Sequence, residues 1–201
     1  MQSRSTERFC EIWIMKIAYA LTGSFCTIDT SVQLLSQLIA GGHEVYPVAS
    51  YAFATTDTRF GDAADWIEKI EKICKHRIIK NIRGAETVGP IIAPDAMIIA
   101  PCTGNTLAKL ANGISDTPVT LAAKAHLRNG RPLILALCSN DALGGNFVNI
   151  ATLYQKKNVY FVPLLQDDIN AKPHSMVSNF TLLPATLDAA VQGKQILPLF
   201  V

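Results

Sequence analysis

The chain has 201 residues, which suits one substantial domain when a domain takes roughly 100–200 residues. Hydrophobic residues make up 49% of the sequence and charged residues only 17%, a balance that excludes an intrinsically disordered chain. The net charge of +2 is too small to attract nucleic acid, and no apolar run approaches the roughly 18 residues that cross a bilayer. The five cysteines are widely spaced and predict neither a disulfide framework nor a metal site. We therefore expect a cytoplasmic protein with neither nucleic-acid nor membrane partners.

Residues 1–14 show no periodic pattern and predict either a loose N-terminal extension or the choice of an upstream start site, before a single domain over residues 15–201. Within that domain, short apolar runs that predict strands alternate with segments whose apolar residues recur every three or four positions and predict helices. The predicted strands are 16–21, 44–49, 95–100, 132–138 and 159–162, and the predicted helices are 27–40, 63–75, 105–111, 119–129, 143–157 and 184–191.

This alternation predicts a doubly wound α/β domain with a mostly parallel sheet and helices on both faces. The segments 51–62, 77–94 and 164–183 show no clear period and are predicted to be long loops. Loops of that length in a compact domain usually bind a ligand or a partner.

Two polar turns follow predicted strands and precede predicted helices: Thr22-Gly23-Ser24 and the turn from Pro101 to Thr106. Carboxyl ends of parallel strands share one sheet edge, where helix N-termini present free N–H groups, so two such turns can hold a phosphate from both sides. The alternative is that Ser24 and Thr27 only cap their helix. Neither turn has the glycine spacing of a dinucleotide fingerprint or a P-loop.

The segment 101–116 resembles the flavin-binding decarboxylase superfamily. The residues that keep the Pro-x-x-x-Asn-Thr-x-x-Lys-x-x-x-Gly-x-x-Asp spacing of phosphopantothenoylcysteine decarboxylases are Pro101, Asn105, Thr106, Lys109, Gly113 and Asp116. The turn Thr22-Gly23-Ser24 resembles the FMN-phosphate loop of the same superfamily. The alternative for the segment is an ordinary helix with a solvated Lys109 and with Gly113 just past its end. The resemblance implies a Rossmann-like flavoprotein fold, FMN as cofactor, and homo-oligomers with flavin at subunit interfaces.

Residues 15–25, 101–116, 141–146 and 172–175 are more specifically similar to the family of dipicolinate synthase B subunits, over nearly the whole chain from Met15. This resemblance implies a subunit of an oxidoreductase in the mother cell of a spore-forming bacterium. It implies as partner an A subunit that binds NAD(P), and as reaction the oxidation of dihydrodipicolinate, or its hydrated precursor, to dipicolinate. Because the chain has no dinucleotide fingerprint of its own, we expect it to be inactive without that partner.

The chain departs from the decarboxylases at two points. The loop 51–61 lacks their His, and their substrate-clamp motif falls at 137–143, where Asn140 is kept but Ser139 and Leu143 replace methionines. Three interpretations stay open: a dipicolinate synthase B subunit, a stand-alone FMN-dependent decarboxylase or prenyl-flavin-type transferase, and a flavin-free structural subunit.

We predict two sets of site residues, one for the cofactor and one for catalysis. His174 is the candidate acid or base for a dicarboxylate substrate, and Lys172 the candidate partner of a carboxylate. The catalytic set is Asn105, Lys172 and His174, and the cofactor-binding set is Gly23, Ser24, Ser50, Thr103, Asn105, Thr106 and Ser139.

The remaining reactive side chains have ordinary explanations. Cys26 and Cys102 are either nucleophiles or small packing residues, and the absence of a neighbouring His in the sequence favours packing. His43 and His76 are expected to be solvated, and His126 to be structural.

Overall fold

A computed structural model describes residues 14–201 of the chain, so the predicted extension lies outside the described residues except for Ile14. The strands are β1 (Lys16–Leu21), β2 (Glu44–Ala49), β3 (Ala96–Thr103), β4 (Leu133–Ser139), β5 (Val159–Phe161), β6 (Leu164–Asp168) and β7 (Lys172–Ser178). The α-helices are α1 (Ile28–Ala40), α2 (Tyr51–Thr55), α3 (Ala63–Cys74), α4 (Ile82–Glu86), α5 (Gly104–Ala111), α6 (Pro118–Leu127), α7 (Phe147–Tyr154) and α8 (Leu183–Val191).

The strands form one sheet in the order β2-β1-β3-β4-β7-β6, with β5 also paired to β4. The first five strands form a parallel part of the sheet in the order β2-β1-β3-β4-β5. The strand order reverses between β1 and β3, and ligands of open α/β sheets bind beyond the strand ends at such a point.

Side chains alternate across the sheet and create one hydrophobic core on each face. Ile17, Tyr19 and Leu21 of β1 belong to the core that contains residues of α1, α3 and α8. Ala18 and Ala20, on the opposite face of β1, belong to the core that contains residues of α5, α6 and α7. Burial on both faces explains why the central strands are continuous apolar runs, as the doubly wound prediction requires.

Segment 164–183 is the main correction to the predicted fold, because its residues 164–178 form a β-hairpin and the rest is a 3-10 turn that leads into α8. Strands β6 and β7 pair antiparallel, and β7 joins the end of β4 antiparallel through Cys138 and Ser139. The β-α alternation therefore stops after β5. Exposed polar residues and Pro173 interrupt the apolar pattern of β7, which hid the strand from a periodicity argument.

The other two predicted loops contain structure too short to show a period. Segment 51–62 begins with α2, and segment 77–94 contains α4 and a π-helical turn over Val88–Ile92. The helix predicted over 143–157 is shorter in the structure, where it corresponds to α7, because residues 140–146 form turns.

Strand β3 is longer than predicted and includes Pro101, Cys102 and Thr103, which the sequence placed in a turn. Its pairing with β4 shifts register between Ile99 and Cys102, and Pro101 falls within this irregularity. A proline fits a strand at such a place because no ladder N–H is required of it. Among residues 14–201, no helix combines the length and hydrophobicity needed to cross a membrane.

Candidate functional site

A cavity of about 910 Å³ opens at the carboxyl ends of β1, β3 and β4, where the strand order reverses. Its volume is within the range of roughly 300–1,000 Å³ that small-molecule sites occupy. The loop between α2 and α3 and the β6–β7 hairpin form its remaining walls. The predicted site residues that line it are Gly23, Ser24, Thr103, Asn105, Ser139, Lys172 and His174.

Thr22 connects the two polar turns behind the residues that line this cavity. Its hydroxyl donates to the Pro101 carbonyl at 2.7 Å and accepts from the Thr103 backbone N–H at 3.0 Å. Thr22 is 1% exposed, so its hydroxyl serves these two hydrogen bonds and is not available to a ligand. The ends of β1 and β3 are thereby held beside each other, as two turns gripping one phosphate would need.

The first turn does not act as a helix cap. Neither Ser24 nor Thr27 accepts a capping hydrogen bond from a helix backbone N–H. Instead the Thr27 hydroxyl donates to the Ser24 carbonyl at 3.0 Å and to Ser24 Oγ at 3.3 Å. Ser24 Oγ acts as acceptor in this contact, so its own hydrogen remains available to a ligand. The capping alternative for this turn is therefore wrong.

The second turn leads directly into the N-terminus of α5. The Thr103 hydroxyl caps that helix by accepting from the Thr106 backbone N–H at 3.3 Å and also contacts Thr106 Oγ1 at 3.0 Å. A Cβ on Gly104 would lie 2.6 Å from Ser139 Oγ and 2.7 Å from Asn146 Nδ2, so a larger residue would require these two side chains to move. Thr106 is 8% exposed and is absent from the cavity lining.

Ser50 is the other predicted cofactor residue that does not line the cavity. It is the N-cap of α2, where its side chain accepts from the Phe53 backbone N–H at 3.2 Å. Its own backbone N–H donates to the Leu21 carbonyl at 3.0 Å. The structure thus gives Ser50 a structural role next to β1, and contact with a cofactor stays a prediction.

The β6–β7 hairpin contributes the two predicted catalytic side chains outside the parallel strands. Lys172 Nζ donates to Asp167 at 3.0 Å, and this ion pair raises the pKa of Lys172 and lowers that of Asp167. Ser175 Oγ lies 3.2 Å from the same carboxylate. Lys172 is therefore already paired, whereas the exposed His174 faces the cavity from the same strand.

The cysteines divide into buried and accessible thiols. Burial raises the pKa of Cys102 far above its ordinary value and that of Cys138 to about 12, so both stay protonated. Packing is thus the right interpretation for Cys102. Cys26 is exposed and lines the cavity next to Ser24.

Three histidines lie away from the cavity, and two of them are less solvated than predicted. His126 is 0% exposed, as a structural residue should be. His43 is half-buried and accepts from the Met15 backbone N–H at 3.2 Å. His76 stacks on Tyr46 with ring centroids 4.2 Å apart and lies 3.3 Å from Glu44. The contact of His43 with the residue before β1 and the packing of His76 against β2 explain this difference.

The motif residues after Asn105 build the end of α5. Lys109 Nζ contacts both carboxylate oxygens of Asp116 at 2.8 and 2.9 Å, and this contact lowers the Asp116 pKa. Gly113 has φ +72° just past the helix, the left-handed conformation that favours glycine. The alternative of an ordinary helix end is right for Gly113, but Lys109 is paired and not merely solvated.

The Flavoprotein family matches residues 10–177 of the chain, which is more than half of its length. This chain belongs to the flavoprotein family. The dipicolinate synthase B subunit of Bacillus subtilis strain 168 is 44% identical to it over 186 residues, which cover 92% of this chain and 93% of that protein. The predicted resemblance to dipicolinate synthase B subunits is confirmed.

The solved structures that are similar to this flavoprotein include proteins of the same kind as its sequence relatives. The dipicolinate synthase B subunit from Bacillus halodurans has a TM-score of 0.85 and 41% identity, covering 93% of this chain and 96% of that one. A dodecameric FMN-dependent UbiX-like decarboxylase from Escherichia coli O157:H7 has a TM-score of 0.62 and 27% identity, covering 74% and 80%. The doubly wound flavoprotein fold predicted from the sequence is confirmed by these similarities.

The donor set of this flavoprotein fits a phosphate. At the β1 and β3 ends, the described lining residues include the Ser24 hydroxyl and the Asn105 amide, and none of them is acidic. The N–H groups of Gly104 and Asn105 lie in the first turn of α5, where a helix has no internal acceptors for its donors. These residues suit the phosphate end of a flavin mononucleotide.

The lining side chains that sequence reasoning missed include Arg59, Phe60 and Asp141. Arg59 and Phe60 are in the segment 51–62, which was predicted only as a loop with a function. The Asp141 carboxylate accepts from Gly145 N at 3.2 Å and contacts Asn146 Nδ2 at 3.4 Å. The glycine pair that follows Asp141 was the available signal for this turn, whereas no local pattern marks Arg59 as a site residue.

Proposed function

We propose that this flavoprotein is the B subunit of a dipicolinate synthase and binds FMN in the cavity at the β1, β3 and β4 ends. The observation that carries the proposal is 44% identity to the B subunit of the Bacillus subtilis dipicolinate synthase over nearly the full length of both chains. The donor-rich cavity at the reversal of strand order supports the FMN part of the proposal.

The proposed phosphate position lies between the two polar turns. Gly23 has no side chain to cover its backbone, Ser24 offers a hydroxyl, and the first turn of α5 offers N–H groups and the positive end of its dipole. The Thr22 hydroxyl holds these groups in place. Charge-assisted hydrogen bonds of this kind contribute roughly 1.5–3 kcal/mol each.

The proposed reaction is the removal of a hydride and a proton from dihydrodipicolinate, which makes the pyridine ring aromatic. Bound flavin would supply an acceptor for the hydride, and oxidised NAD(P) on the A subunit would take the two electrons from it and restore the oxidised flavin. From the hairpin wall, His174 takes the proton as general base. Asn105, at the start of α5, orients the substrate through its amide. Because Lys172 is held by Asp167, its role requires exchange of that partner for a substrate carboxylate.

The proposal includes an A subunit that carries NAD(P), because this chain has one phosphate-sized set of donors and no dinucleotide fingerprint. The place of action is the cytoplasm of the mother cell during sporulation, and a homo-oligomer is part of the proposal. The dodecameric assembly of the E. coli relative supports the last point.

The experiment mixes the purified chain, the A subunit, dihydrodipicolinate and NAD(P), and follows dipicolinate by terbium luminescence. We expect product from the mixture and at most a trace from either chain alone. Turnover by this chain alone at the rate of the mixture would refute the shared reaction. In the same assay, His174→Ala and Asn105→Ala should lower kcat by at least tenfold, and Lys157→Ala, an exposed position just past the end of α7, serves as the control.

FMN binding is measured separately by quenching of flavin fluorescence. Ser24→Ala should weaken the FMN Kd by about tenfold, because one charge-assisted hydrogen bond is lost. Thr181→Ala, which removes an exposed hydroxyl in the 3-10 turn before α8, is the matched control. A wild-type chain that binds no FMN at high micromolar concentration would contradict the flavin part and favour the structural-subunit interpretation.

A further inference from the structure

Arg59 lines the cavity from the loop between α2 and α3, where it lies in a hydrogen-bonded turn between Thr58 and Gly61. Thr58 and Gly61 exchange both backbone hydrogen bonds, at 3.2 and 3.0 Å. Thr58 Oγ1 accepts from the Phe60 N–H at 3.1 Å, and Asp57 accepts from the Ala63 N–H at 2.9 Å. These four hydrogen bonds fix the backbone on both sides of Arg59.

Contact with α3 fixes the position of this turn. Gly61 has φ +129°, and a Cβ there would lie 2.7 Å from Trp66 Nε1. The turn therefore packs against Trp66 as closely as a glycine allows. Arg59 and Phe60 project from it into the lining of the cavity, with the guanidinium carbon 4.8 Å from the Phe60 ring centroid.

The charges around the cavity leave Arg59 without an acidic partner. Lys172 is paired with Asp167 at 3.0 Å. Asp141 is occupied by Gly145 and Asn146 in its own turn. Among the described residues, Arg59 takes part in no ion pair and no side-chain hydrogen bond, so it is the lining group with an uncommitted positive charge.

We propose that Arg59 is a specificity residue that binds one carboxylate of the dicarboxylate substrate, with Phe60 holding the guanidinium plane in place. This inference rests on the proposed function, which supplies the class of substrate. Guanidinium and carboxylate form two parallel hydrogen bonds, and an arginine already stacked on an aromatic ring loses less freedom when it makes them. Ser24 and the first turn of α5 already supply the donors proposed for the cofactor phosphate, which leaves the charge of Arg59 for the substrate.

The test measures binding of dipicolinate and of pyridine-2-carboxylate to the FMN-treated chain with the A subunit, by calorimetry. Arg59→Gln should weaken dipicolinate binding by about ten- to a hundredfold and remove most of the preference for the dicarboxylate. Arg59→Lys should recover part of the loss, because the charge is kept and the bidentate geometry is not. Arg128→Gln removes an exposed arginine just beyond the end of α6 and should change neither quantity.

The outcomes separate this inference from the proposed function. Equal dipicolinate Kd in wild type and Arg59→Gln overturns the role of Arg59, even if the mixture makes dipicolinate. A weaker FMN Kd in Arg59→Gln with unchanged dipicolinate binding also overturns it, because Arg59 would then hold the phosphate. Dipicolinate binding that depends on Arg59 in a mixture without turnover supports Arg59 and refutes the proposed reaction. A wild-type mixture that binds no dipicolinate overturns both.

Discussion

His126 combines complete burial with incomplete hydrogen bonding. The ring is 0% exposed, Nε2 lies 2.9 Å from the Pro132 carbonyl, and Nδ1 has no partner among the described residues. Burial lowers the pKa of His126 below its ordinary value of 6.5, with Arg131 acting in the same direction and the Pro132 carbonyl opposing. The ring is therefore neutral in the folded protein, with its hydrogen on the nitrogen that faces Pro132.

This burial predicts a loss of stability in mild acid. As the pH falls through about 6.5, the unfolded chain takes up a proton at a higher pH than the folded chain does, so the free energy of unfolding falls. Relative to His126→Gln, we expect wild type to lose an additional ~1 kcal/mol between pH 7.5 and pH 5.5. Urea unfolding at the two pH values measures the difference, and parallel losses in both proteins would contradict it.

Individual residues also show what sequence reasoning can and cannot find. Gly23, Ser24 and Asn105 were found because parallel strands bring their ends to one edge, a rule that needs only the order of elements. The linking role of Thr22 was not predictable, because neighbouring hydroxyls in one turn differ only in which way they point. Arg59 was missed because nothing in its local sequence marks the cavity that it faces.

Strands and helices were predictable where their own apolar residues decide their state. The limits of β1 and β2 agree with the prediction residue for residue, and α1 differs by one. The β6–β7 hairpin was missed because only one of its strands joins the core sheet, through two residue pairs with β4. Such a strand is stabilised by a neighbouring strand that is distant in sequence, and the local pattern of apolar residues carries no information about that neighbour.

The junction of β1, β3 and α5 depends on Thr22, and this dependence is testable. Thr22→Val keeps the shape of the side chain but leaves the Pro101 carbonyl and the Thr103 N–H unpaired in a buried position. We expect a loss of roughly 2–6 kcal/mol in the free energy of unfolding, since each of the two unpaired groups costs roughly 1–3 kcal/mol. The FMN Kd should weaken as well, because the two turns lose their link.

Thr22→Ser is the matched control, since it keeps the hydroxyl and removes one methyl group. It should retain most of the stability and of the FMN affinity. If Thr22→Val and Thr22→Ser behave alike in urea unfolding and in flavin quenching, the hydrogen bonds of Thr22 do not matter and packing of its methyl group does.

The whole domain is expected to fold without the first fourteen residues. Met15 is 5% exposed and its N–H donates to His43, whereas Ile14 is 64% exposed. Deletion of residues 1–14 should therefore change Tm by no more than a few degrees. A calorimetric scan against the full chain measures this. A large decrease in Tm would indicate that Phe9, Ile12 or Trp13 packs against the domain or a neighbouring protomer.

Two strands, β5 and β7, pair with the same edge of β4, and they hold it unequally. β5 pairs with the first half of β4, and β7 pairs only with Cys138 and Ser139 at its end. We therefore expect two classes of amide in hydrogen exchange. Amides of β1, β3 and the first half of β4 should exchange only on global unfolding. Amides near the hairpin tip should exchange through a local opening of much lower free energy. We therefore expect the wall that carries Lys172 and His174 to be a separate cooperative unit, which would let a ligand enter or leave while the edge formed by the ends of β1, β3 and β4 stays folded.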